Sequence, residues 1–192
     1  MTLGMCPASS GPVSAVSLVT SYANLIVTQT LSKAYGLAAI RLGVAYAAPP
    51  LIAVMNNTKA PYNISTPAAH IASRALSDAG LATMRENVAS LIRNRETLAK
   101  QLWQQVPATG QPLGQPDANF LLVPVLDAAR DVKGAKPDGA RAAAVYKKMA
   151  EEHALVVRDR SKELGCAGCL RITVGTEEEN RKCVELMKEL LK

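Results

Sequence analysis

The 192-residue chain predicts an α/β fold, and three observations carry that prediction. Apolar runs of strand length recur at 25–27, 118–125 and 170–174. A stretch of near-helical apolar spacing stops just before Pro107, and a capping-box pattern opens an amphipathic segment at the C-terminal end.

Taken in order, residues 1–17 are rich in small side chains, contain Pro7 and Pro12, and are expected to be poorly ordered. The run 25–27 predicts a short buried strand, after which a polar segment ends in Lys33. The small-residue run 34–43 follows, and a second apolar stretch, 44–48, stops at the Pro49-Pro50 breaker. Helix is predicted from Thr66, with Thr66 as N-cap, Pro67 at the first helical position, and Gly80 dividing the region.

Val88, Leu91, Ile92, Leu98, Leu102 and Val106 then define a long amphipathic helix, one able to bridge two domains. It ends where Pro107 disfavours helical backbone. Beyond a turn-rich segment lie the strand 118–125, a charged loop, a helix from near Asp138, and strands at 155–158 and 170–174. Thr176-Glu177-Glu178-Glu179 caps the last helix, whose apolar stripe is Val184, Leu186, Met187, Leu190 and Leu191. The expected organisation is therefore 1–66, a helical connector 67–106, and a compact α/β module 107–192.

With 48% hydrophobic residues the chain can bury a sizeable core. Its net charge of +6 points to anionic small molecules, because the basic residues are dispersed and aromatic content is 4%, with one Trp and one Phe. No nucleic acid is expected as a partner. From residue 25 onward no 18-residue run lacks charged or strongly polar side chains, and the N-terminus has no signal-peptide pattern. A cytoplasmic protein without membrane contact is expected. All 16 carboxylates lie at or after Asp78, so residues 1–77 contain no Asp or Glu.

Of Cys6, Cys166, Cys169 and Cys183, only Cys166 and Cys169 have ligand-like spacing. A lone C-x-x-C running into a strand lacks the second ligand pair that zinc needs, so no metal site is expected and the thiols are read as reduced. His70 and His153 fall in predicted helices without matching partners and are not assigned to chemistry.

The informative stretch runs from Thr30 to Gly43. A lysine just past a buried strand can be desolvated, which favours the neutral amine that attacks an aldehyde. Thr30 and Ser32 offer hydroxyls to a phosphate, and Arg41 offers a planar fork of donors. Gly36, Ala38, Ala39 and Gly43 leave room for close backbone approach. A second signal is Arg158-Asp159-Arg160, followed thirteen residues after Arg158 by Arg171 in Leu170-Arg171-Ile172-Thr173-Val174. An arginine alternating with apolar strand residues points to the face opposite the core or into a cavity.

The Thr30–Gly43 pattern resembles the cofactor-lysine signature of the fold-type I aminotransferases. Lys59-Ala60-Pro61-Tyr62-Asn63-Ile64-Ser65, Asp117-Ala118-Asn119-Phe120-Leu121-Leu122 and the segment from Glu163 to Thr176 extend the resemblance to the C-terminal half of fungal histidinol-phosphate aminotransferases, over about Tyr22–Lys192. That resemblance implies a remnant of the large-domain sheet, a long interdomain helix and a small C-terminal α/β domain. It implies pyridoxal 5'-phosphate attached covalently to Lys33, with Thr30, Ser32 and Arg41 around its phosphate, and Arg158 and Arg171 binding the substrate anion.

The implied reaction is amino transfer between histidinol phosphate and 2-oxoglutarate or glutamate, by a homodimer. The family's aspartate for the pyridine nitrogen lies upstream of the lysine, yet no carboxylate precedes Lys33. A truncated large domain with exposed strand edges and an uncovered apolar face is therefore expected. Another fold-type I enzyme, such as an amino-acid phosphate decarboxylase or a different aminotransferase, and a non-catalytic fragment stand as alternatives.

Overall fold

The computed structural model describes residues 14–115 and 117–192. Cys6, Pro7 and Pro12, and most of the 1–17 segment expected to lack order, lie outside these residues. The chain divides into two compact units, Met1–Arg85 and Glu86–Lys192.

In the first unit a 3-10 turn, Ala15–Leu18, is capped by Ser14, whose hydroxyl accepts from the Val16 amide. Strand β1 (Ile26–Thr30) pairs antiparallel with β2 (Gly43–Ala47), in register from Ile26 opposite Ala47 to Thr30 opposite Gly43. The first strand was expected to be buried, and it is not: Ile26 is 43% exposed. A two-stranded ribbon has two faces to cover, and the described residues of this unit bury only Leu31, Ala68 and Ala72. Tyr22, Val54 and Ile64 are exposed as well.

Helix α1 (Pro49–Thr58) begins at the Pro49-Pro50 pair expected to act only as a breaker. At the first helical positions a missing N–H removes no intrahelical bond, so the pair starts the helix. Helix α2 (Thr66–Ala75) is capped by Ser65, one residue before the predicted Thr66, because the Ser65 hydroxyl accepts from the Ala68 amide. The break before α3 (Asp78–Gln105) falls at Leu76 and Ser77, not at Gly80. Gly80 sits in the first turn of α3, where a Cβ would come within 2.3 Å of the Ala75 carbonyl oxygen. Only glycine allows the end of α2 to approach the start of α3 so closely.

The second unit is a two-layer α/β module. Its sheet has the order β3-β5-β4, all antiparallel, with β3 at Phe120–Pro124, β4 at Arg158–Asp159 and β5 at Cys169–Thr173. The strand expected over 155–158 is reduced to the two residues of β4. Helices α4 (Gly139–His153), α5 (Glu177–Leu190) and the C-terminal turns of α3 lie on one face. There Leu98, Leu102, Leu121, Val123, Met149, Leu170, Ile172 and Met187 are all at most 2% exposed. Asp138 caps α4 through the amides of Ala140 and Arg141, and Thr176 with Glu179 forms the predicted capping box of α5. Among the described residues no helix is long and apolar enough to cross a membrane.

Candidate active site

Lys33 lies in the first turn after β1, within the twelve-residue connection whose ends are held by the Thr30–Gly43 pairing. The turn is fixed locally. The Gly36 amide donates to the Lys33 carbonyl at 3.0 Å, and Gly36 takes a φ of +65, a conformation glycine adopts without strain. The Leu37 amide donates to the carbonyl of Leu31, which at 3% exposure is the one anchored side chain of the connection. The backbone around Lys33 is thus held from both sides while its side chain stays exposed. The desolvation expected from a buried strand is not supplied by the described residues, for the reason given for β1.

Thr30 and Ser32 come together. The Thr30 hydroxyl donates to the Ser32 Oγ at 2.9 Å and accepts from the Ser32 amide at 3.1 Å. The Ser32 oxygen accepts the Thr30 hydrogen bond, so its own hydroxyl proton remains available to an outside acceptor. Arg41 stands two residues before Gly43 in left-handed conformation, φ 51, with Nη1 donating to the Ala38 carbonyl at 2.9 Å. That bond leaves the rest of the guanidinium fork free to meet an anion. Residues 1–77 offer no carboxylate to compete for it.

In the second unit the register sets Arg158 directly opposite Arg171 on adjacent strands. Residues so paired project from the same face of the sheet with their Cβ atoms about 5 Å apart. This face is the one away from the helices, since Leu170 and Ile172, the neighbours of Arg171, fill the core. Two guanidiniums side by side repel unless an anion lies between them, and among the described residues neither forms an ion pair. The nearby acids are engaged elsewhere: Asp159 accepts from the Ser161 amide and hydroxyl, and Glu163 pairs with Arg160. Arg171 Nε is buried without a hydrogen-bond partner, and its Cζ lies 5.4 Å from the centroid of the Phe120 ring.

The predicted residues therefore form two sets, Thr30, Ser32, Lys33 and Arg41 in one unit, and Arg158 with Arg171 in the other. Phe120 was not anticipated as a contact of Arg171. Its segment was singled out, but the pairing of β3 with β5 that brings ring and guanidinium together spans some fifty residues.

Cys166 and Cys169 bracket a tight turn, the Cys169 amide donating to the Cys166 carbonyl at 2.9 Å. Burial, with the Cys166 thiol as a second cause, pushes the Cys169 thiol up to about 11. A thiol held neutral is a poor nucleophile and a poor metal ligand. Among the described residues no group of three or more His, Cys, Asp or Glu side chains could hold a metal ion.

A family model described as aminotransferase class I and II matches residues 3–186. The histidinol-phosphate aminotransferase of Schizosaccharomyces pombe is 43% identical over 183 residues, which are 95% of this chain and 47% of that protein. That of Saccharomyces cerevisiae is 41% identical over 97% of this chain and 45% of its own length. The chain thus spans about half the length of the curated relatives it matches. A crystal structure of histidinol-phosphate aminotransferase from Sinorhizobium meliloti in complex with pyridoxal-5'-phosphate superposes with a TM-score of 0.76 at 20% identity, covering 92% of this chain and 43% of that one.

Proposed function

The chain belongs to the class I and II aminotransferase family, and from that premise we propose that it is the lysine-bearing and anion-binding portion of a histidinol-phosphate aminotransferase. Its fold is the corresponding part of the fold-type I architecture. The observation that carries the substrate reading is the opposition of Arg158 and Arg171 without an acid between them. Such a pair suits the phosphate of histidinol phosphate, and the same planar forks suit a carboxylate of glutamate or 2-oxoglutarate in the other half-reaction. The 43% and 41% identity to two histidinol-phosphate aminotransferases supports the same substrate.

The residues of the first unit fit pyridoxal 5'-phosphate at its phosphate end and at its point of attachment. Two hydroxyls 2.9 Å apart, a guanidinium and a segment free of carboxylates favour a dianion. Ser32 would donate its hydroxyl proton to a phosphate oxygen, Thr30 would brace Ser32, and Arg41 would balance the charge. Bound there, the cofactor supplies an electron sink for the substrate carbon that loses its proton. Lys33 Nζ would hold the cofactor between turnovers and, once displaced by the substrate amine, take the proton from that carbon and return it. No Asp or Glu in residues 1–77 is available to balance the ring nitrogen, so that role is assigned to no residue of this segment.

A homodimer and a cytoplasmic location belong to the same reading, the first supported by the exposed apolar side chains Tyr22, Val54 and Ile64.

The test is to incubate the chain with pyridoxal 5'-phosphate, reduce with borohydride and map the labelled peptide. Label at Lys33, lost in Lys33→Ala, is expected. Absence of label at Lys33 in folded protein removes the catalytic reading. Turnover on another amine, but not on histidinol phosphate, removes the substrate.

A further inference from the structure

Arg171 is an arginine whose orientation nothing in its own hydrogen bonding explains. Its Nε is buried and unpartnered, and the residue opposite it in the sheet is another cation, Arg158. Both facts should drive the guanidinium outward, into water, where every donor could be hydrated. What opposes this is on the next strand. Phe120 pairs with Thr173 and Leu122 with Arg171, so Phe120 sits on the same face, diagonal to Arg171, with the guanidinium carbon 5.4 Å from its ring centroid. That distance lies within the range over which the ring face attracts a cation.

The backbone that carries the ring is held in place. The Val174 amide donates to the Asn119 carbonyl at 2.9 Å, and Arg95 Nη1 from α3 donates to the Ala118 carbonyl at 3.0 Å, so the two residues before Phe120 are tied to the sheet and to the helix.

We propose that Phe120 is a positioning residue for anion recognition, holding the Arg171 guanidinium against its ring so that Arg171 and Arg158 present their donors to one dianion together. The inference rests on the reading of Arg158 and Arg171 as the substrate-anion site. A cation–π contact engages the face of the guanidinium and leaves its edge, where the N–H groups lie, open. The terminal amino groups at that edge are then the donors left for the anion. Keeping a cation in place without consuming its hydrogen bonds is a task an aromatic ring performs and a carboxylate does not, since an acid would occupy the donors and neutralise the site.

The probe is inorganic phosphate, titrated into the full chain near pH 7.5 in chloride buffer, and read by calorimetry and by the arginine Nε–H resonances in nitrogen-15 NMR. In the unsubstituted chain the Arg171 Nε–H signal is expected to shift on saturation. Phe120→Leu should weaken phosphate binding about two- to fivefold, the range expected when a cation–π contact at a partly exposed site is lost. Phe120→Tyr, which keeps the ring face, should restore it.

A pentafluorophenyl ring at position 120 keeps the shape and depletes the charge of the face, so it should weaken binding as leucine does, even if leucine disturbs packing. Binding retained with the fluorinated ring, or undiminished in Phe120→Leu, overturns the positioning role and leaves the arginine site standing. No phosphate-dependent shift at either arginine in the unsubstituted chain overturns the arginine site and this inference with it.

Discussion

Replacing Arg171 by methionine is expected to make the second unit more stable in the absence of anions and less stable in their presence. The magnitude follows from three contributions. Arg171 stands directly opposite Arg158, and like charges so placed destabilise a sheet by roughly 0.2–1 kcal/mol. Its buried, unpartnered Nε carries a desolvation penalty of about 1–3 kcal/mol. Against these stands the contact with Phe120, about 0.5–1 kcal/mol at a partly exposed site. Methionine keeps most of the aliphatic stem packing. The central values leave a net gain of about 2 kcal/mol, which for a unit of this size raises the melting temperature by roughly 8–16 °C.

The assay is thermal unfolding by circular dichroism, in low-salt chloride buffer and again with phosphate at about a hundred times its dissociation constant. Phosphate that binds only the folded wild type adds about 2.7 kcal/mol. The order of the two proteins should then reverse. A variant that melts below wild type without anions, or equal stabilisation of both by phosphate, would refute the reasoning that the two arginines form a site that repels itself until filled.

Three further outcomes follow from the packing of the second unit. Met149→Ala removes a fully buried side chain from the core beneath the sheet and should cost about 2–5 kcal/mol, measured by urea unfolding at unchanged slope. Thr176→Ala removes one half of the α5 capping box and should cost about 1 kcal/mol. The bonds from Thr176 also hold the Glu179 carboxyl below its ordinary range, so the wild-type advantage should fade as pH drops and Glu179 gains its proton. Burial pushes the thiols of Cys169 and Cys183 up from 9.0 to about 11. The folded chain therefore keeps protons that the unfolded chain has lost, and stability should decline between about pH 9 and 11; of the three described thiols, Cys166 should react first with a thiol reagent near pH 8, and Cys169 and Cys183 only on unfolding.

The capping box of α5 was legible because all its partners lie within four residues; for α4 only a start near Asp138 was legible, and the structure adds that Asp138 is its cap. The one-residue slip at α2 has the opposite cause. Ser65 and Thr66 are adjacent hydroxyls of similar capping power, and only the backbone of Ser65, φ -74 and ψ 151, settles which of them leaves the helix. The strand identity of β1 followed from its apolar run, but its burial did not, because burial depends on what lies over a strand and not on the strand itself.

The site divides in the same way. Thr30 and Ser32, two residues apart, meet as their spacing suggests. Arg158 and Arg171 were both candidates from their positions in strands, but their direct opposition is a property of register, and register is not written in either strand alone.

That register also has a consequence for the order in which the unit assembles. Arg158 and Arg171 are thirteen residues apart and joined by a hairpin, a kind of closure completed within about 1–10 μs. Phe120 reaches the same sheet through a pairing with Thr173 across some fifty residues, a slower search. The two cations therefore meet before the ring that steadies one of them arrives, and the nascent hairpin is opposed by its own charges. An anion present during refolding acts on that early encounter, so phosphate should quicken the folding of this unit as well as deepen its final state.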